Sequence, residues 1–87
     1  MMKNFGDMMK QAASLQKKME EMQETIAGME AEGTAGAGLV KVMLNGKGYA
    51  SKVEINPEMF REDEKEVLED LITAAINDAK AKLETQS

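Results

Sequence analysis

In the first thirty residues, apolar side chains recur at alternating spacings of three and four: Phe5, Met8, Ala12, Leu15, Met19, Met22, Ile26 and Met29. This is a heptad stripe sustained over about three and a half repeats, the pattern of one long helix. Lysine, glutamate and glutamine fill most of the remaining positions, and all three favour helix. A stripe of two positions in seven is narrow, so the helix should pack along a seam on one or two other helices, not deep in a core. Four of the eight seam residues are methionine, which suits adaptable contacts more than register-setting ones. Ordinary packing accounts for them without a ligand role.

The chain has 87 residues, enough for one small domain that buries somewhat over ~60% of its unfolded surface and is marginal as a lone monomer. It has no cysteine and no histidine. That removes disulfides, thiolate zinc sites, iron–sulfur clusters, cysteine nucleophiles and every serine–histidine triad. Carboxylates, lysines, hydroxyls and the single tyrosine, Tyr49, remain. The composition points to a binding or structural module, with no enzyme activity, cofactor, metal site or small-molecule substrate expected. Glu62, Asp63, Glu64, Glu66, Glu69 and Asp70 read as acidic residues at a helix start, although Glu66 and Asp70 stand one turn apart and could share a hard cation. No apolar run has signal-peptide or membrane-span length, so the cytoplasm is the expected location.

Gly33-Thr34-Ala35-Gly36-Ala37-Gly38 ends the first helix and permits unusual backbone conformations. No Lys-Ser/Thr pair follows it, and the next segment reads as strand, so it is no phosphate-binding loop. Residues 39–44, Asn45-Gly46, and residues 47–55 read as a β-hairpin, because Asn-Gly is a preferred two-residue type I′ turn. Such a turn pairs Val42 with Tyr49 and Val40 with Ser51, and gathers Val40, Val42, Leu44, Tyr49, Val53 and Ile55 on one apolar, buried face. A lone hairpin is marginal; either residues 29–34 add a third strand or a second subunit extends the sheet.

Asn56-Pro57 closes the sheet, since proline cannot donate to a ladder but fits a first helical turn. Asp63 followed by Glu66 resembles a capping box. The helix that follows presents Leu68, Leu71, Ile72, Ala75, Ile76, Ala79 and Leu83 on one face, with Lys80 and Lys82 in its last turn. The reading is a single domain over residues 1–87 of the α+β class, with a helix over about 4–29, a small antiparallel sheet over about 30–55 and a helix over about 63–84.

Several blocks then look familiar. Met9-Lys10-Gln11-Ala12, and Gly36-Ala37-Gly38-Leu39-Val40-Lys41-Val42 leading to Asn45-Gly46, resemble the YbaB/EbfC nucleoid-associated proteins. So do Val53-Glu54-Ile55-Asn56-Pro57 and Glu69-Asp70-Leu71-Ile72-Thr73-Ala74-Ala75-Ile76-Asn77-Asp78-Ala79. The resemblance implies an α-β-β-β-α subunit whose long terminal helices project like tweezers from a shared β core in a bacterial homodimer. It also implies binding of double-stranded DNA with low sequence specificity, in the nucleoid, influencing DNA conformation and transcription. Two features depart from the family's pattern. Asn56 stands where members often have aspartate, and many members continue past the position of Ser87 into a Pro/Gly-rich tail.

The net charge of −5 speaks against DNA, whose affinity comes from cations on phosphates, but its distribution is uneven. Residues 1–18 carry +3, residues 19–32 carry −5, residues 33–52 carry +3 and the remainder carries −6. Lys3, Lys10 and Lys17 lie seven apart, opposite the methionine seam and roughly 10 Å from one another along the axis, with Lys18 beside them. The candidate DNA contacts are these four with Lys41, Lys47 and Lys52. The candidate dimer contacts are Leu39, Val40, Val42, Leu44, Val53, Ile55, Met19 and Met22. The competing reading is a small coiled-coil adaptor that binds other proteins and no nucleic acid.

Overall fold

The computed structural model describes the backbone of residues 2–86 and the side chains of residues 4–86. The chain order is α1 (Met2–Ala27), β1 (Glu30–Ala35), β2 (Val40–Asn45), β3 (Ala50–Ile55), two single 3-10 turns (Pro57–Met59 and Glu62–Glu64) and α2 (Lys65–Gln86). This is the expected α-β-β-β-α subunit. The third strand comes from the chain itself, and the sheet is antiparallel in the order β1-β2-β3. α1 stops at Gly28, whose N–H still donates to the Glu24 carbonyl at 3.0 Å.

The core lies between one face of the sheet and α2. Val40, Val42 and Leu44 of β2 are buried against Ala75 and Ala79 of α2, flanked by Ala35, Leu68, Leu71, Ile72 and Leu83. Small residues bring α2 close to β1. At Gly33 an added methyl would collide with the Ala75 carbonyl and the Ala79 amide, and would lie 2.8 Å from Ala79 Cβ. Gly33 is therefore a strand residue selected for close approach, not a loop residue selected for freedom. The β1–β2 turn behind it does use the left-handed region, at Gly36, Ala37 and Gly38.

The hairpin differs from the two-residue expectation. Val40 pairs with Ile55, Val42 with Val53 and Met43 with Lys52, and a bulge follows between Met43 and Leu44. Asn45 N–H donates to the Tyr49 carbonyl, Gly48 N–H donates to the Asn45 carbonyl, and Gly48 has φ +87°. The loop is thus the three residues Gly46, Lys47 and Gly48, a turn closed by a left-handed glycine. Asn45 fixes it by accepting the Lys47 and Tyr49 amides on Oδ1. Asn45 precedes the turn instead of occupying its centre, and Gly48 supplies the positive φ. The register moves by four residues, an even number, so Val53 and Ile55 still share a face with Val40 and Val42.

Tyr49 is not buried as expected: it leaves the loop 70% exposed. Val53 is also half exposed, because α2 crosses β1 and β2 and makes no substantial contact with β3.

Both ends of α2 also correct the expectations. The helix is entered through the 3-10 turn, so Asp63 sits within that turn and not at a cap, and Arg61 precedes it without a side-chain cap bond. Lys80 and Lys82 lie short of the last turn, since α2 runs on to Gln86. Asn56, by contrast, caps the first 3-10 turn, its side chain accepting Glu58 N–H at 2.9 Å ahead of Pro57.

Candidate nucleic-acid interface

α1 extends away from the sheet. The molecule measures 75 × 17 × 16 Å, and α1 makes no substantial contact with any other element. Its anchor is the C-terminal end, where the Ile26 carbonyl abuts Gly46 closely enough that a side chain at Gly46 would not fit. The rest of the seam is largely open: Phe5, Met8, Leu15, Met19 and Met22 are each more than half exposed. A row of large apolar side chains this long on a monomer marks a contact surface.

Lys10, Lys17 and Lys18 are all exposed on this projecting helix. The Lys3 side chain lies outside the described residues. With about 100° of rotation per residue, Lys10 and Lys17 fall on the face opposite the seam and Lys18 on its flank. The same face turns acidic towards the sheet, with Glu20, Glu21 and Glu24. The cationic part is therefore the outer two-thirds of α1, up to Lys18, ahead of the acidic stretch that adjoins the sheet.

The hairpin lysines divide. Lys41 and Lys52 share the outer sheet face with Glu32 and Glu54, and the four line one shallow depression of about 60 Å³. Lys52 Nζ is 2.8 Å from Glu54 Oε1. That contact holds the lysine above and the glutamate below their ordinary values, through the hydrogen bond first and charge second. These two lysines are matched by carboxylates and contribute little net positive field. Lys47 stands apart, exposed in the loop, and lines a depression with Lys80, Ile26, Met29 and Leu83. Lys80 is the cation that sequence reasoning assigned to the helix dipole. No spacing rule links residues 47 and 80, because only the fold brings the loop beside α2.

The apolar candidates divide as well. Val40, Val42 and Leu44 belong to the chain's own core at 4% exposure or less, so they face α2 and have no surface left for a partner. Leu39 and Ile55 are half-buried. Val53, Met19 and Met22 are open to solvent.

A projecting helix on a three-stranded α+β core has counterparts among known proteins. The model of the YbaB/EbfC DNA-binding family covers residues 2–87. The chain belongs to this family. A nucleoid-associated protein of Brucella ovis is 58% identical over 83 residues, covering 95% of this chain and 78% of its relative. A nucleoid-associated protein of Brucella melitensis is 57% identical over the same span. The crystal structure of an uncharacterized protein from Helicobacter pylori superposes with a TM-score of 0.77 at 20% identity, covering 91% of this chain and 83% of that one. That likeness shows a shared fold. YbaB/EbfC members are DNA-binding proteins and not enzymes. Among the described residues no helix is long and apolar enough to cross a membrane.

Proposed function

We propose that this YbaB/EbfC protein binds double-stranded DNA as a homodimer, with little sequence specificity, through the basic stretch of α1 that ends at Lys18. The observation that carries the reading is the two-sidedness of α1: an unpartnered apolar seam on one face and Lys10 and Lys17 on the other. A second copy on the seam and on the uncovered part of the sheet would leave both lysine faces outward. Lysine contacts to phosphate oxygens position a protein on the duplex without carrying sequence information, which accounts for low specificity. The acidic half of α1 limits affinity, so binding is weak and transient. Spread along the chromosome, such binding influences DNA conformation, nucleoid organisation and gene expression.

Fluorescence anisotropy on duplex DNA over a salt series tests this. Lys10, Lys17 and Lys18 from two protomers offer up to about six phosphate contacts, which sets a log–log salt slope of about −5. Lys10→Glu with Lys17→Glu removes four of these contacts, weakens binding alike on unrelated sequences and cuts the slope to about −2. Unchanged affinity in the variant rejects the residue assignment. A dimer that fails to bind any duplex at low salt rejects DNA binding and favours the protein adaptor.

A further inference from the structure

The seam of α1 is open, and its margins are nearly free of charge. In the heptad that the seam defines, the flanking positions are Asn4, Met9, Gln11, Gln16, Gln23 and Thr25, with Lys18 the single charge among them. Asp7, Lys10, Lys17, Glu20, Glu21 and Glu24 all fall on the remaining positions. Flanking positions are where charges select or forbid a second helix, and here they forbid little. The surroundings of the seam change along its length. At its base it opens into an apolar depression of about 570 Å³, lined by Met22, Ile26 and Met29 and bounded by Gln86 at the end of α2. α2 therefore stands beside the base of the seam. The tip projects clear of it, with Phe5 69% and Met8 65% exposed. A helix tip has room in that depression, and the α2-bearing body of another copy does not.

From these features we infer that the seam takes the α1 seam of a second copy running antiparallel, so that each tip fills the other's depression. The inference rests on the reading of the seam as a contact for a second copy, and it adds the direction and the register. Parallel pairing would bring both copies of α2 to the same end of the helix pair, where Ile26 and Met29 would have to meet. Antiparallel pairing sets Phe5 against the partner's Met29, Met8 against the partner's Ile26, Ala12 against the partner's Met22 and Leu15 against the partner's Met19. All eight seam positions then share a layer, whereas a slip of one heptad strands either Phe5 and Met8 or Ile26 and Met29. Charge agrees with this direction: residues 1–18, at +3, lie along the partner's residues 19–32, at −5. The cost is one like-charge approach, Lys18 to the partner's Lys18 across the twofold axis, which solvent screens. The two sheets stand about 36 Å apart at opposite ends of the helix pair, so the open part of each sheet stays free for a further copy.

The chain has no cysteine, so two single-cysteine variants test the register: Ala12→Cys and Met22→Cys, one of them tagged to distinguish its mass. Both positions are exposed on α1, and circular dichroism verifies that both variants are folded. Mixed in equal amounts with a short bismaleimide, they should link to each other at least tenfold faster than either links to itself. The reason is that position 12 faces the partner's position 22, while the two copies of position 22 stand roughly 15 Å apart along the axis. Self-linking of Met22→Cys as fast as mixed linking overturns the antiparallel direction, since a parallel pair brings identical positions together. A wild-type dimer whose mixed variants link no faster than either alone overturns the seam pairing and leaves the homodimer standing. A wild-type protein that sedimentation equilibrium finds monomeric at all concentrations overturns both.

Discussion

Gly33→Ala should be among the most damaging small substitutions in this chain. The new methyl would overlap the Ala75 carbonyl and the Ala79 amide, and even Ala79 Cβ would be only 2.8 Å away. Two of the three nearest atoms are backbone, so no side-chain rotation relieves the clash and α2 must lift as a unit. The lift opens a gap over Val40, Val42 and Leu44, which α2 covers. Burial of three such side chains contributes about 6 kcal/mol. A gap on the order of 1 Å forfeits up to about half of close-contact attraction, which gives a cost of about 3 kcal/mol, the upper range for overpacking. For a domain of this size that is a fall in Tm of about 12–24 °C, read by thermal unfolding with circular dichroism. Gly6→Ala is the matched control. Gly6 lies in exposed α1 with nothing within 4 Å of an added methyl, so the same chemical change should stabilise by about 0.5–1 kcal/mol. If Gly33→Ala lowers Tm by less than about 4 °C, near 1 kcal/mol, α2 does not rest on β1 as closely as described.

Three further outcomes follow from the geometry. Met22→Glu places a charge on the exposed seam without touching the core, so self-association should weaken at least tenfold while Tm at low concentration holds; sedimentation equilibrium decides it. Asp78 is held below its ordinary value of 3.8 by the Thr34 amide first and the Lys82 ammonium second. Its folded value lies below the unfolded one, so its stabilising effect is complete above pH 3.8 and is lost as pH falls through the folded value. Asp78→Asn should therefore melt a few degrees below wild type near neutrality, small because the pair is solvent-screened, and the two melting curves should converge in acid. Asn45→Ala removes the Oδ1 acceptor for the Lys47 and Tyr49 amides, which should cost about 1 kcal/mol and lower Tm by about 4–8 °C; an unchanged Tm would mean the loop holds without that cap.

Much of the molecule could be read along the chain because its signals are local. The heptad stripe from Phe5 to Met29 made α1 legible, the Asn56-Pro57 pair marked the end of the sheet, and the apolar face from Leu68 to Leu83 marked α2. The lysine face of α1 was equally legible, since helical rotation alone places Lys10 and Lys17 opposite the seam. Misreadings arose where two equally good local rules competed. Asn45-Gly46 has the composition of a two-residue turn, but Gly48 two positions later also offers a left-handed residue, and the three-residue loop it closes, together with the bulge between Met43 and Leu44, keeps the apolar face while releasing Tyr49 to solvent.

What periodicity could not supply was the allocation of like residues to different neighbours. Val42 and Val53 are paired on one sheet face, yet Val42 is buried and Val53 half exposed, because α2 is wide enough to cover two strands and not three. Lys80 and Lys82 carry the same charge two positions apart on α2, and helical rotation sets them on different faces; only the docked sheet decides that Lys82 meets Glu32 and Asp78 while Lys80 turns to the hairpin loop. Local sequence sets which face of an element is apolar or charged, since that depends only on the backbone's own rotation. Which of those faces is covered, matched or left open depends on contacts between residues distant in the chain, and those exist only once α2 has docked on the sheet.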